Sequence, residues 1–402
     1  MERADHVGVR RQHGCRGPKL GVYLGEPNVA INKCNDYINE EVYKAVKASI
    51  DLLGGIEAFV KKGERILLKP NLLSAKPPEA AITTHPAVVR AVLQLVRECG
   101  AIPVVGDSPG IGSASKVAQK CGIAAVADEF GIEVIDLATS IEVENPGGKT
   151  FKRLELSKEA IDADGIINIP KLKTHTQMFM TLGVKNLFGC VVGTRKPQWH
   201  MAMGIDSHAF ARMLIDTYLF LKPRLTIVDG VVGMEGNGPG SGGDPRKLGL
   251  IFASTDCIAM DRVITEVLGA KADDLPTTRV AEEDETGETG LDNINILGEK
   301  IEDIRVSGFK FPPLTGIEFR LPFSMHAYLR KPLTSRPVVK HKECTLCCQC
   351  IGICPPGIMT NTRQINIDYD KCIRCFCCLE ICPEGAITVK DGWLKRIVSS
   401  MQ

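Results

Sequence analysis

Residues 65–107, RILLKPNLLSAKPPEAAITTHPAVVRAVLQLVRECGAIPVVGD, read as one strand–helix–strand unit. Arg65-Ile66-Leu67-Leu68-Lys69-Pro70 is a short apolar run stopped by proline, which cannot donate to a following ladder. Thr83-Thr84-His85-Pro86 has the character of a helix start, with proline early in the first turn. Val88, Val89, Val92, Leu93, Leu95 and Val96 then supply a helical apolar face, and Gly100 is a stop. Ile102–Gly106 is the next strand, ending at Asp107. Working outward, a helix is expected around Ser115–Cys121, a strand at Glu133–Leu137 and further strands at Gly165–Ile169, Leu225–Val228 and Leu248–Ala253, with a helix at Ser207–Leu221. Near-continuous apolar strands alternating with helices predict an α/β fold, a mostly parallel sheet covered by helices on both faces. Sites in such sheets form at the carboxyl ends of the strands.

The other end of the chain has a different character. Cys344, Cys347, Cys350 and Cys354, followed by Pro355, recur at Cys372, Cys375, Cys378 and Cys382, followed by Pro383. Each run is C-x2-C-x2-C-x3-C-P, the ligand pattern of bacterial-type ferredoxins, and predicts two 4Fe–4S clusters. The offset between the copies is a constant 28 residues, and Gly357 maps onto Gly385. In this arrangement the fourth cysteine of each run serves the other cluster. Cys344, Cys347, Cys350 and Cys382 then form one ligand set, and Cys372, Cys375, Cys378 and Cys354 the second. Structural zinc is the competing reading, but zinc ribbons use two C-x2-C knuckles separated by a longer loop. Cys348 and Cys377 are surplus and do not map onto each other; they are small buried hydrophobes or redox-active thiols.

These features divide the 402 residues into a disordered extension (1–19), an α/β ligand-binding domain (20–310), a linker (311–336), a small α+β ferredoxin-like dicluster domain (337–392) and a tail (393–402). The first 19 residues are rich in Arg and His and lack the apolar core of a secretory signal. A net charge of +1 gives no case for nucleic acid, and no apolar run reaches the length of a membrane span. Oxygen-labile clusters and six further scattered cysteines fit a reducing cytoplasm.

Polar residues gather after the apolar strands. Lys69 and Asn71 follow the first, and Asp107 the second; Lys173 and His175 come after Gly165–Ile169; Lys185, Asn186 and His200 lie further on; Asp229, Gly236 and Gly238 follow Leu225–Val228. Lys69, Lys173 and Lys185 suit an anionic ligand. His175 and His200 are general acid/base candidates, metal ligands or structural hydrogen-bonders. The glycine-rich stretch Gly230–Gly243 is either an anion cradle of backbone N–H groups or a surface loop; it matches no nucleotide fingerprint. Asp261, inside a helical pattern, reads as a buried cap or ion pair.

Several of these segments together resemble an uncharacterised family, domain of unknown function 362, in its form with a C-terminal dicluster ferredoxin. They are Leu67-Leu68-Lys69-Pro70-Asn71-Leu72, Val105-Gly106-Asp107-Ser108-Pro109-Gly110, Pro170-Lys171-Leu172-Lys173-Thr174-His175, Leu182–Gly189 and Val228-Asp229-Gly230. The resemblance implies an iron–sulfur protein whose lysine-rich strand ends form the characteristic site; it implies no reaction. Three functions compete. In a redox enzyme, the clusters would exchange electrons between a partner protein, such as a ferredoxin or reductase, and a small anionic ligand in the large domain. A non-catalytic carrier or redox-responsive binding module would need only a shallow pocket. A cluster-assembly protein would need labile clusters.

Overall fold

The strand–helix–strand unit forms as its residues dictate. In a computed structural model describing residues 26–110, 112–203, 206–312 and 335–392, strands Arg65–Pro70 (β2) and Ile102–Asp107 (β3) flank helix Pro86–Glu98 (α2). His85 caps α2: its imidazole Nδ1 accepts from the Ala87 N–H at 3.2 Å, and Pro86 occupies the first turn. Gly100 has φ +72°, the left-handed backbone that ends the helix.

Further elements on this plan are strand Asn28–Lys33 (β1), helix Asn39–Asp51 (α1), helices Ala114–Cys121 (α3) and Ile123–Glu129 (α4), and strand Val134–Asp136 (β4). Ser140–Glu144 (β5) and Arg153–Ser157 (β6) form a separate hairpin, followed by the helical turn Lys158–Ile161 (α5). Then come strands Gly165–Ile169 (β7), Lys171–His175 (β8) and Phe179–Thr181 (β9), and helices Gly183–Asn186 (α6), Lys196–Met203 (α7) and Ser207–Leu221 (α8). Strands Leu225–Gly236 (β10) and Gly243–Ser254 (β11), helices Cys257–Val267 (α9) and Pro276–Glu283 (α10), and strand Asn295–Gly298 (β12) complete the large unit.

Ten strands join in one mixed sheet of order β12-β1-β11-β10-β7-β2-β3-β4, with β8 and β9 attached beside β10. The run β10-β7-β2-β3-β4 is parallel, whereas β10-β11-β1 is antiparallel. Alternate residues of β2 face opposite ways: Ile66 and Leu68 pack with α1 and α2, while Leu67 packs with Leu137 and Ile166. The opposite face of β1, β10 and β11 carries Val29, Ile31, Val228 and Phe252 against α9. Burial on both faces is why these strands read as near-continuous apolar runs.

The expected strands at Leu225 and Leu248 are longer than their apolar cores and pair with each other from Thr226↔Ser254 to Gly236↔Gly243. The Gly230–Gly243 stretch is therefore mostly hairpin arm, with only residues 237–242 as its tip, and not a loop throughout.

The small unit shows the 28-residue repeat in its backbone. Strand Arg336–Val339 (β13) pairs with Ile387–Lys390 (β16), and Met359–Asn361 (β14) with Ile365–Ile367 (β15). The first strand of each repeat thus pairs with the last strand of the other, so neither half closes a core alone. Helices Gln349–Ile353 and Cys377–Ile381 occupy equivalent places. Left-handed backbone recurs at Leu346 and Arg374, at Cys348 and Phe376, and at Gly357 and Gly385. Arg336 already pairs with Lys390, so the small unit includes the last residue assigned to the linker. The expected extension at 1–19, most of the linker (313–334) and the tail at 393–402 lie outside the described residues. No helix among the described residues is long and apolar enough to cross a membrane.

Candidate functional site

The carboxyl ends of β2, β3 and β8 converge on one cavity, of about 810 Å³ counting its open mouth. From the sequence candidates it is lined by Lys69, Asn71, Asp107, Lys173, His175, Lys185, Asn186 and His200. Lys196 and further residues of the large unit line it too, and the small unit contributes Ile353, Cys377, Glu380 and Ile381. The cavity therefore lies between the two units.

Each side chain has an evident local support. Lys69 forms a buried pair with Asp107 at 2.8 Å and donates to the Pro70 carbonyl. Asp107 also accepts from the N–H groups of Leu72 and Ser108. Gly189 lies against this pair, where a Cβ would come within 2.0 Å of Asp107 Oδ1. On β8, Lys173 donates to Asn71 Oδ1 and to the Ile82 carbonyl, both at 2.7 Å. Asp261 of α9 accepts from the N–H groups of Gly183 and Val184, fixing the first turn of α6, which carries Lys185 and Asn186. Burial pushes the Asp261 carboxyl up to about 8. The Lys185 ammonium lies 5.4 Å from the ring centres of both Phe188 and Phe210. Helix α7 presents Lys196 and His200 at i and i+4, hence on one face. Lys196 donates to the Ser108 carbonyl, and His200 stacks on Phe210 with ring centres 4.6 Å apart.

The electrostatics are those of a cationic enclosure. Burial pulls Lys173 down to about 7 and Lys196 to about 8, and lowers Lys185 as well. Burial likewise holds His175 near about 4 and His200 near about 3, so both rings are neutral at physiological pH. His175 Nδ1 accepts from the Gln177 and Met178 N–H groups, leaving the proton on Nε2. Nε2 lies 3.0 Å from Glu380 Oε1 but off axis, so Oε1 lacks a hydrogen-bond donor; His200 Nδ1 is also unpartnered. Glu380 is held down to about 2: burial opposes this, and His175, Lys185 and His200 overcome it.

Asp229 and Gly236 lie elsewhere. Asp229 accepts from Lys171 Nζ at 2.9 Å, from Tyr37 OH at 2.8 Å and from the His85 N–H, a closed network bracing β8, β10 and the start of α2. The Gly236 N–H donates to the Lys310 carbonyl. Gly238 stands behind the wall, bonded to Thr174, and its neighbour Pro239 lines the cavity. The glycine-rich tip thus brings backbones together. A Cβ on Gly240 would meet the Glu380 carbonyl at 2.5 Å.

Lys196 and Glu380 were not among the candidates. The i, i+4 spacing to His200 is the signal for Lys196. For Glu380 it is asymmetry between the repeats: the 28-residue offset places Glu380 opposite Gly352.

The eight motif cysteines fall into two sets. Cys344, Cys347, Cys350 and Cys382 line one small cavity; Cys354, Cys372, Cys375 and Cys378 line another. Burial, then the neighbouring Cys347, Cys382 and Cys344, raises the Cys350 thiol to about 11. Backbone N–H groups of Arg374 and Ala386 point at the Cys372 and Cys382 sulfurs. Among the described residues no three His, Cys, Asp or Glu side chains converge as a single metal ion requires.

Comparison with known proteins now bears on these features. The thylakoid-associated protein sll1697 of Synechocystis sp. is 40% identical over 315 residues, spanning 75% of this chain and 95% of that protein. The lactate racemase apoprotein of Thermoanaerobacterium thermosaccharolyticum aligns structurally with a TM-score of 0.38 and 13% identity, over 58% of this chain and 55% of that one. Residues 66–266, which hold all the lysines and histidines of the cavity, match the family described as Domain of unknown function (DUF362), and the chain belongs to it.

Proposed function

We propose that this is an iron–sulfur protein whose C-terminal ferredoxin-type unit holds two 4Fe–4S clusters and exchanges electrons with an anionic ligand bound in the cavity. One observation carries the reading. The cavity wall combines lysine-bearing strand ends with the Cys377–Ile381 helix, which also carries Cys378 and leads directly into Cys382. The residues present fit such a group: four cysteines surround each of two cavities, in the cross-paired sets that the duplicated motif requires. Left-handed backbone recurs at 346 and 348 and at 374 and 376, and the Arg374 N–H donates to the Cys372 sulfur. The clusters would supply one-electron transfers. Lys173, Lys185 and Lys196 would hold and neutralise the ligand, Asn71 would orient Lys173, and His175 and His200, being neutral, could give or take a proton.

The cavity lining favours this reading over a plain carrier, because a carrier has no use for three converging lysines, Lys173 buried and Lys185 and Lys196 half-buried, none in an ion pair with a carboxylate. A reducing compartment such as the cytoplasm would suit the clusters, and a ferredoxin or reductase would be the outer partner. The test is anaerobic purification. Iron and sulfide analysis, with electron paramagnetic resonance of the reduced protein, should report two 4Fe–4S centres, and mass spectrometry should find a co-purifying small anion. Colourless protein holding only zinc would end the proposal.

A further inference from the structure

We infer that the cavity takes a small dianion whose two negative charges sit on oxygens, an inference that rests on reading the cavity as an anion site. Four lysines line the cavity (Lys69, Lys173, Lys185 and Lys196) against two carboxylates, Asp107 and Glu380. Asp107 is consumed by Lys69. With all four ammoniums protonated, the lining side chains carry two positive charges beyond balance, and a bound anion would hold them in that state.

The amide side chains cannot be the main recognition elements, because they are spent on one another and on Lys173 and the Lys69 carbonyl. Asn71 Nδ2 donates to Asn186 Oδ1, Asn71 Oδ1 accepts from Lys173, and Asn186 Nδ2 donates to Asn168 Oδ1 and the Lys69 carbonyl. Ser108 Oγ accepts from the Gly193 N–H. Beside the rings of His175 and His200 and the Thr181 hydroxyl, the remaining donors are ammonium hydrogens. An ammonium has three; Lys173 has placed two of them and Lys196 one. Lys185 Nζ makes no hydrogen bond among the described residues; it lies beside the Phe188 and Phe210 rings, with Glu380 acting on it through space. The donor surplus is cationic and comes from three segments, β8, α6 and α7, converging on one space. Glu380 sets the upper limit: its carboxylate, on the same wall, would repel a third negative charge.

The test is anaerobic isothermal titration calorimetry of the full-length holoprotein at pH 7 with sulfate, malonate and acetate. At least one dianion should bind ten-fold or more tightly than acetate. Preference for sulfate assigns a tetrahedral group such as a phosphoryl; preference for malonate assigns a dicarboxylate. Lys185→Met should weaken the preferred dianion at least ten-fold, whereas Glu380→Gln, which removes a wall charge, should tighten it. Opposite signs in two variants cannot come from misfolding. Acetate binding as well as either dianion, no binding of either, or no effect of Lys185→Met would overturn the inference. Because no electron transfer is read, its failure is distinguishable from failure of the redox proposal.

Discussion

Lys173 shows how one buried charge sets a pH dependence. Burial holds its ammonium down to about 7, with Glu380 pulling it up and Lys185 pushing it further down. In the unfolded chain the same group stays protonated to its ordinary value of 10.5. Between these values the unfolded state binds the extra proton, so this contribution to stability rises with pH. Below about 7 both states are protonated and the full cost of the buried charge is present. Lys171, Lys185 and Lys196 are lowered by burial too, and act in the same sense. The prediction is a comparison. Lys173→Met should gain melting temperature relative to wild type at pH 6.5, and that relative gain should shrink by pH 9 in ligand-free protein. Saturating dianion should reverse the ordering, because the wild type alone gains the bound charge. A wild-type-minus-variant difference independent of pH would show that Lys173 is neutral or solvated throughout.

At the scale of the element, packing between the β2–β3 ends and the turn Leu187–Cys190 decides whether the cavity exists. Gly189 is required there: an added Cβ would press on Asp107 Oδ1 at 2.0 Å and on Lys69 Nζ at 2.4 Å. Separating a buried ion pair leaves two uncompensated charges and costs about 3–5 kcal/mol. Gly189→Ala should therefore lose about that much in denaturant unfolding and also lose dianion binding. Gly110→Ala, with nothing within 4 Å of the new methyl, should stay within about 0.5 kcal/mol of wild type. Equal stability of the two variants would mean that the turn moves aside freely. The elements themselves were legible in proportion to how local their signals are. The Arg65–Pro70 strand, the capped helix after His85 and the Ser207–Leu221 helix declare themselves by periodicity and stop residues. The β10–β11 hairpin did not, because its glycines replace the apolar alternation that would mark strand arms, and its antiparallel register is set by partners. Asp229 looked like a site residue since it ends an apolar stretch, yet Tyr37, from 192 residues away in sequence, claims it.

In the molecule as a whole, the two cysteine sets differ in what surrounds them. Cys347 is exposed, beside the exposed Leu346, where its counterpart Cys375 is buried; Cys350 and Cys378 are both buried, and the other two cysteines of each set are partly exposed. Cys377 and Glu380, which flank Cys378, reach the ligand cavity. The arrangement has an outer and an inner end: a partner would reach the set with Cys347, and the ligand would face the set with Cys378. None of this asymmetry is visible in the repeated motif, which gives both halves the same spacing; it follows from which copy docks on the hairpin tip at Gly240. Oxygen should respect the same order, since attack on a cluster depends on access. Brief air exposure of the anaerobic holoprotein should release iron in two phases of equal size. The protein left after the first phase should retain one 4Fe–4S signal, and Glu380→Gln, which acts on the inner wall, should shift that remaining signal without changing the first phase. A single phase removing all the iron would place both clusters at equal access and leave the cavity without a protected inner neighbour.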